Sequence, residues 1–134
     1  MMQAILQNEL DKLGMGDVCV ESAGTNKGSE GNEINVDSAK ELALRGLHVD
    51  GHKSRHIGSV GPVELFDIIL CAGEEQAEQI RNAYPVMRFR VRVVNAKGDG
   101  VPNPWQLGPA AYTACAALVE FHMREIATEL KTKW

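Results

Sequence analysis

Residues 66–73 read FDIILCAG: an apolar run from Ile68 to Ala72, led by Asp67 and ended by Gly73. A strand with one wet face alternates apolar and polar side chains. A run that is apolar at nearly every position has the pattern of a strand covered on both faces, as in a parallel sheet flanked by helices. The next residues, EEQAEQIRNAY, read as helix up to Pro85, which disfavours helical backbone in the residue before it.

The same alternation extends to both sides. Met2, Ala4, Ile5, Leu6, Leu10 and Leu13 recur at three- and four-residue intervals, the period of an amphipathic helix ending near Gly14. DVCVESAG (17–24) reads as a strand running into a Gly-rich loop, GTNKGSEGNE, expected to be mobile or functional. Val36, Ala39, Leu42, Ala43 and Leu47 mark a second amphipathic helix closing at Gly46. MRFRVRVVN (87–95) alternates and predicts a strand at the sheet edge, while GVPNPWQLGP (100–109) is too rich in Pro and Gly for regular structure. The segment from Ala110 to about Leu130 carries Ala111, Cys115, Leu118, Val119, His122, Ile126 and Leu130 on one stripe and predicts the longest helix.

Helix, strand, helix, strand, helix, strand, helix is the order of βαβ units, with parallel strands joined by right-handed crossovers. A doubly wound sheet that begins with a helix requires a strand before it, and the first strand of such sheets is typically central, with the ligand crevice at its carboxyl end. The expectation is three strands of a four-stranded open parallel sheet with helices on both faces, in one domain spanning 1–134. Strands left without their neighbour expose main-chain groups toward an apolar gap. Such groups cost ~1–3 kcal/mol each, so the strands of VCVES and DIILC should close on each other or two chains should associate as a homodimer.

Composition sets the outer limits. The 134 residues are 44% hydrophobic and 24% charged, ordinary for one globular domain, and a net charge of −4 argues against nucleic-acid and anionic-membrane partners. Cys19, Cys71 and Cys115 are odd in number, widely spaced and free of any C-x-x-C pair, which favours a reducing, cytoplasmic setting. The N-terminus lacks a signal-peptide pattern, and no apolar stretch is long enough to span a bilayer.

A family resemblance runs collinearly through the chain. MMQAIL resembles the segment after the phosphate loop of low-molecular-weight protein tyrosine phosphatases, and VESAGT resembles their second strand. VDSAKELALRGL with HKSR resembles their next helix and turn, FDIILCAGEEQAEQI their third strand and helix, and VPNPW with the long last helix their acid-bearing loop. The resemblance implies an α/β fold and hydrolysis of phosphotyrosine or a small phosphomonoester through a cysteinyl-phosphate, with no metal or cofactor. That chemistry needs a thiolate at a helix N-terminus within C-x-x-x-x-x-R, an Arg gripping the phosphate and an Asp that protonates the leaving phenolate.

Two departures stand against this pattern. Six residues after Cys19, Cys71 and Cys115 come Thr25, Ala77 and Phe121, so none begins the phosphate loop. The resemblance places the family's first central strand and that loop ahead of Met1, so the chain is expected to start at the first turn of the helix the loop caps. The position matching the catalytic acid is Asn103, whose amide can hydrogen-bond but cannot transfer a proton to a leaving group at neutral pH, while Trp105 matches the aromatic that flanks the phosphotyrosine ring. The expectation is an inactive homologue or a pseudophosphatase that binds a phosphorylated or protein partner.

Other candidates have plainer readings. Cys71 resembles a redox cysteine of the arsenate reductases that share this fold, but their resolving partner falls near Glu78, which forms no disulfide; Cys71 therefore reads as a small apolar residue at a strand end. His48, His52 and His56, four apart, would line one face of a helix for zinc, but Gly46, Gly51 and Gly58 break that helix. Arg55 in HKSR reads as a loop-pinning or surface residue, the three Arg of RFRVR as a solvated strand face, and Gly24 as a site of close backbone approach at a strand end beside the crevice, structural or ligand-binding.

Overall fold

The computed structural model describes residues 1–49, 51–95 and 100–134. They form two compact units, one of residues 1–22, 33–53 and 103–134, the other of 23–32 and 54–102.

In the first unit, helices α1 (Met2–Lys12) and α2 (Val36–Leu44) both pack against the long α4 (Pro109–Lys133). The ends of α1 and α2 are set locally. Gly14 and Gly46 take φ of 75° and 74°, and the N–H groups of Met15 and Leu47 reach back to the carbonyls of Leu10 and Leu42, each at 2.9 Å. Glycine supplies the left-handed residue that lets the last carbonyls be satisfied in this way. Asn35 accepts from the N–H of Asp37 at 2.8 Å and caps the start of α2. On α4, Tyr112, Cys115, Ala116, Val119, His122, Met123, Ile126, Ala127 and Leu130 are buried. This stripe is wider than the one read from the sequence, because α4 serves two helices; Ala111 and Leu118, expected inside, are half-buried.

In the second unit, β1 (Ile69–Cys71) pairs in parallel with β2 (Val91–Val93), and α3 (Glu74–Ala83) joins them. This is one βαβ unit of an α/β protein with a parallel sheet. Cys71, Ala77, Ile80, Met87, Val91 and Val93 form its core together with Val63. Ile68, Ile69 and Leu70 are only half-buried, because among the described residues β1 has a strand on one edge alone.

Two expected strands take other forms. Residues 17–23 carry no ladder, although their half-buried and exposed positions alternate at Val18, Cys19, Val20, Glu21 and Ser22. The Val18 carbonyl and both main-chain groups of Val20 go instead to side chains of α1, and the Val18 N–H goes to the carbonyl of Met15 at 3.1 Å. Gln7 donates to the carbonyl of Val18 at 2.9 Å and accepts from the N–H of Val20 at 3.0 Å, and Gln3 donates to the carbonyl of Val20 at 3.1 Å. The expected pairing of this segment with the FDIILC strand is therefore not how these groups are satisfied.

MRFRVRVVN is strand only over 91–93, because Pro85 opens a 3₁₀ run, Pro85–Arg90, that buries Met87 and leaves Phe89 exposed. The three arginines thus do not share a strand face. Arg90 donates to the carbonyls of Glu64 and Phe66, each at 3.2 Å.

Candidate functional site

Asn103 and Trp105 sit on one tight turn in the first unit. Pro102 and Pro104 restrict the residues before them to extended backbone, and the Asn103 side chain closes the turn by accepting the Trp105 N–H through Oδ1 at 3.1 Å. The N–H of Leu107 meets the carbonyl of Pro104 at 3.0 Å. Gln106 then takes φ of 64°, unusual for a residue with a side chain, and Gly108 at φ 90° leads into Pro109 at the start of α4. The turn presents the indole of Trp105 at 61% exposure, beside the equally open Leu107. With Oδ1 engaged, Asn103 offers the surroundings the two N–H donors of its Nδ2, which can hold an oxygen but transfer no proton.

None of the three cysteines forms a disulfide. Cys71 lies at the carboxyl end of β1, 4% exposed. Burial pushes its thiol up to about 11, against the pull of Arg81, so it stays protonated at neutral pH and is a poor nucleophile. Glu78, where a resolving cysteine would fall in a redox relative, instead pairs with Arg81 at 2.7 Å. Burial also pushes the Cys115 thiol up, while Cys19 is exposed.

The Gly-rich loop and the HKSR turn are tied together in the second unit. Ser54 donates through Oγ to the carbonyl of Ser29 and accepts from the N–H of Asn32 at 3.1 Å, while its main chain exchanges bonds with Gly31 and Asn32 at 2.7 and 2.8 Å. Ser54 thus ties the Gly-rich loop, expected to be mobile or functional, to the turn. Gly24 forms a parallel bridge with His56, and a Cβ added to it would meet the Arg55 carbonyl at 3.9 Å, an ordinary contact, so no close approach requires glycine there. Among the described residues none of His48, His52 and His56 lies within a helix, and His56 caps the 3₁₀ turn Ile57–Ser59. His56 accepts the N–H of Gly58 through Nδ1 at 3.0 Å, and among the described residues no cluster of His, Cys, Asp or Glu could hold a metal ion.

Two further sets of residues tie the first unit together. Gln3 and Gln7, four apart on α1, form the side-chain ladder described above; their signal was a pair of amides at helical spacing beside an apolar stripe. Glu41 is 7% exposed. It accepts from the Thr113 hydroxyl at 2.6 Å and from Arg45 Nη1 at 3.1 Å, and Arg45 Nε reaches Glu120 at 2.6 Å. Arg124 links Glu120 to Glu9 at 3.0 and 3.4 Å, so charged pairs join α1, α2 and α4. Glu41–Arg45 and Glu120–Arg124 are i,i+4 pairs that spacing alone suggests, but no spacing along the sequence shows the links between helices.

The fold matches solved phosphatase structures. A mutant of YwlE from Bacillus subtilis superposes with a TM-score of 0.88 at 19% identity, covering 97% of this chain and 88% of the other. The tyrosine phosphatase Wzb from Escherichia coli K30, in complex with sulphate, gives 0.82 at 18% identity over 96% and 87%. The YwlE arginine phosphatase from Geobacillus stearothermophilus gives 0.84 at 18% identity over 98% and 86%. At these identities the likeness shows the fold. No curated protein matches the chain at a significant level. The family itself is shown by a family model that matches all of residues 1–134: the chain belongs to the low molecular weight phosphotyrosine protein phosphatases. Among the described residues no helix is long and apolar enough to cross a membrane.

Proposed function

We propose that these 134 residues do not hydrolyse a phosphomonoester unaided, and that what they retain of the family's chemistry is its leaving-group side. Asn103 and Trp105 form a wall against which a phosphotyrosyl ring or another aryl phosphate lies, and the module binds such a partner without cleaving it. The observation that carries this reading is the turn at Asn103: an amide stands where the resemblance calls for a carboxylic acid, with its oxygen committed to the Trp105 N–H. Support comes from the cysteines. None has Arg six residues later, and the two buried thiols are both pushed up, away from the thiolate that a cysteinyl-phosphate requires.

The test supplies the parts that these residues lack. A family-type strand and C-x-x-x-x-x-R loop fused ahead of Met1 should give slow release of phosphate from an aryl phosphate, while the unextended chain releases none above buffer. Hydrolysis by the unextended chain above the buffer rate would overturn the reading, whether or not it survives replacement of the three cysteines.

A further inference from the structure

The 3₁₀ run Pro85–Arg90 is six residues long, and at three residues per turn its side chains fall into rows in which i and i+3 eclipse. Met87 and Arg90 share the row turned inward: Met87 is 1% exposed, and Arg90 Nη1 donates to the carbonyls of Glu64 and Phe66, each at 3.2 Å. The row of Val86 and Phe89 therefore points to solvent, at 73% and 99% exposure. The two bonds of Arg90 fall on either side of Leu65, itself 79% exposed on the 3₁₀ turn Val63–Leu65, and so hold that turn beside the run. Apolar side chains exposed singly need no explanation, but these three are held on adjoining turns of the second unit.

Charge sets the patch apart. Arg45, Arg81 and Arg124 each meet carboxylates within 3.4 Å. Arg88 and Arg90, on either side of Phe89, pair with no carboxylate among the described residues. A chain of net charge −4 thus carries two guanidinium groups without counter-charge around a bare phenyl ring.

We infer that Leu65, Val86 and Phe89 form a docking surface for an acidic peptide segment of another protein, one whose apolar side chains cover the three and whose carboxylates reach Arg88 and Arg90. An aromatic side chain flanked by arginine is the kind of anchor that carries binding energy at protein interfaces, and the charges fix the register. Glu64 stands on the adjoining turn. A peptide can present carboxylates to the arginines and none to Glu64, a discrimination that a uniformly anionic lipid surface lacks. The surface lies wholly in the second unit and is independent of the reading of Asn103 and Trp105.

The test uses two pools of short fluorescein-labelled peptides, one randomised over Asp, Glu, Leu and Phe, the other with Lys and Arg in place of the acids, and reads anisotropy on the full chain. A net charge of −4 draws non-specific binding toward the basic pool, so preference for the acidic pool reports the patch. The acidic pool should bind about tenfold more tightly than the basic one. Phe89→Ser should weaken it by about tenfold, and Arg88→Glu severalfold, with far-UV circular dichroism unchanged in both. Leu65→Ser carries the test if Phe89→Ser does not fold. Leu44→Ser, as exposed as Leu65 but on α2 of the first unit, should change nothing. The inference falls if the acidic pool is not preferred, if Phe89→Ser and Leu65→Ser both leave its binding intact, or if Leu44→Ser weakens it as much. It falls too if vesicles of phosphatidylserine and phosphatidylcholine, rather than the peptides, bind the chain through Phe89, which makes the patch a membrane contact. A dimer seen by sedimentation that Phe89→Ser dissociates and the acidic pool does not would overturn it in favour of a second copy.

Discussion

The side-chain oxygen of Gln7 accepts the N–H of Val20 at 3.0 Å, while its nitrogen donates to the carbonyl of Val18 at 2.9 Å. One carboxamide thereby does for residues 18–20 what a main-chain peptide does in a strand pair: it satisfies a donor and an acceptor on the same edge. Gln7→Leu would leave both groups part-buried without partners, at a cost of about 1–3 kcal/mol each at full burial and less here. Urea denaturation should show a loss on the order of 1–2 kcal/mol, with faster exchange at the Val20 amide. An unchanged midpoint with Val20 still protected would mean another group holds the segment.

Asn103→Asp keeps an oxygen for the Trp105 N–H, so the turn and its Trp105 fluorescence should survive the change. Alone it should confer no hydrolysis. In the fusion that carries a phosphate loop, the same substitution should raise turnover of aryl phosphates with poor leaving groups by up to ~10²–10⁴-fold, and of good ones far less, because general acid catalysis matters most where the phenolate departs reluctantly. Rates compared across substrates of differing leaving-group pKa decide it. A uniform effect would sink the assignment of position 103.

The Glu41 carboxyl is held below its ordinary value of 4.5, chiefly by the Thr113 hydroxyl, against the opposing effect of burial and with help from Arg45. A carboxyl depressed by folding contributes stability that is full above its unfolded pKa and lost as pH falls through the folded one. Stability should therefore decline on acidification below about pH 4.5. Thr113→Val should lower stability near neutrality by ~1 kcal/mol and make the acid decline shallower. Melts of both proteins across this pH range test it; parallel curves would contradict the role given to Thr113.

Burial raises the Cys71 thiol to about 11 from 9.0, which keeps the neutral form in the folded state. Its contribution to stability is full below the unfolded value and is lost as pH climbs toward the folded one. Near neutral pH an alkylating reagent should modify the exposed Cys19 first and reach Cys71 only on unfolding. Peptide mapping after timed labelling reads this directly. Modification of Cys71 in the native protein at the rate of Cys19 would mean that its burial is transient.

The helices were legible because their signals are local. Gly14, Gly46, Pro85 and Pro109 act within one turn of the backbone they end or begin, through φ and missing donors, and α1 to α4 stop and start beside them. The α/β class was legible in FDIILCAG and the helix after it, while the role proposed for position 103 starts from one residue in a short motif. A strand, by contrast, is defined by its partner. VCVES has the alternation of a strand, yet its partners are the amides of Gln3 and Gln7, and nothing in residues 17–24 states which groups will face them. RFRVR alternates as well, but burial of Met87 and the reach of Arg90 to the carbonyls of Glu64 and Phe66 turn its first half into a 3₁₀ run.

The same distinction runs through the site. Chemistry that depends on residue type, an amide at 103 and no C-x-x-x-x-x-R among the cysteines, is determined by the sequence alone, because atoms absent from a side chain are absent in every conformation. Exposure and ionisation are decided only in the tertiary structure. Phe89 is one phenylalanine among three until burial of Met87 and the bonds of Arg90 turn it outward, and Cys71 is an ordinary thiol until a core closes around it.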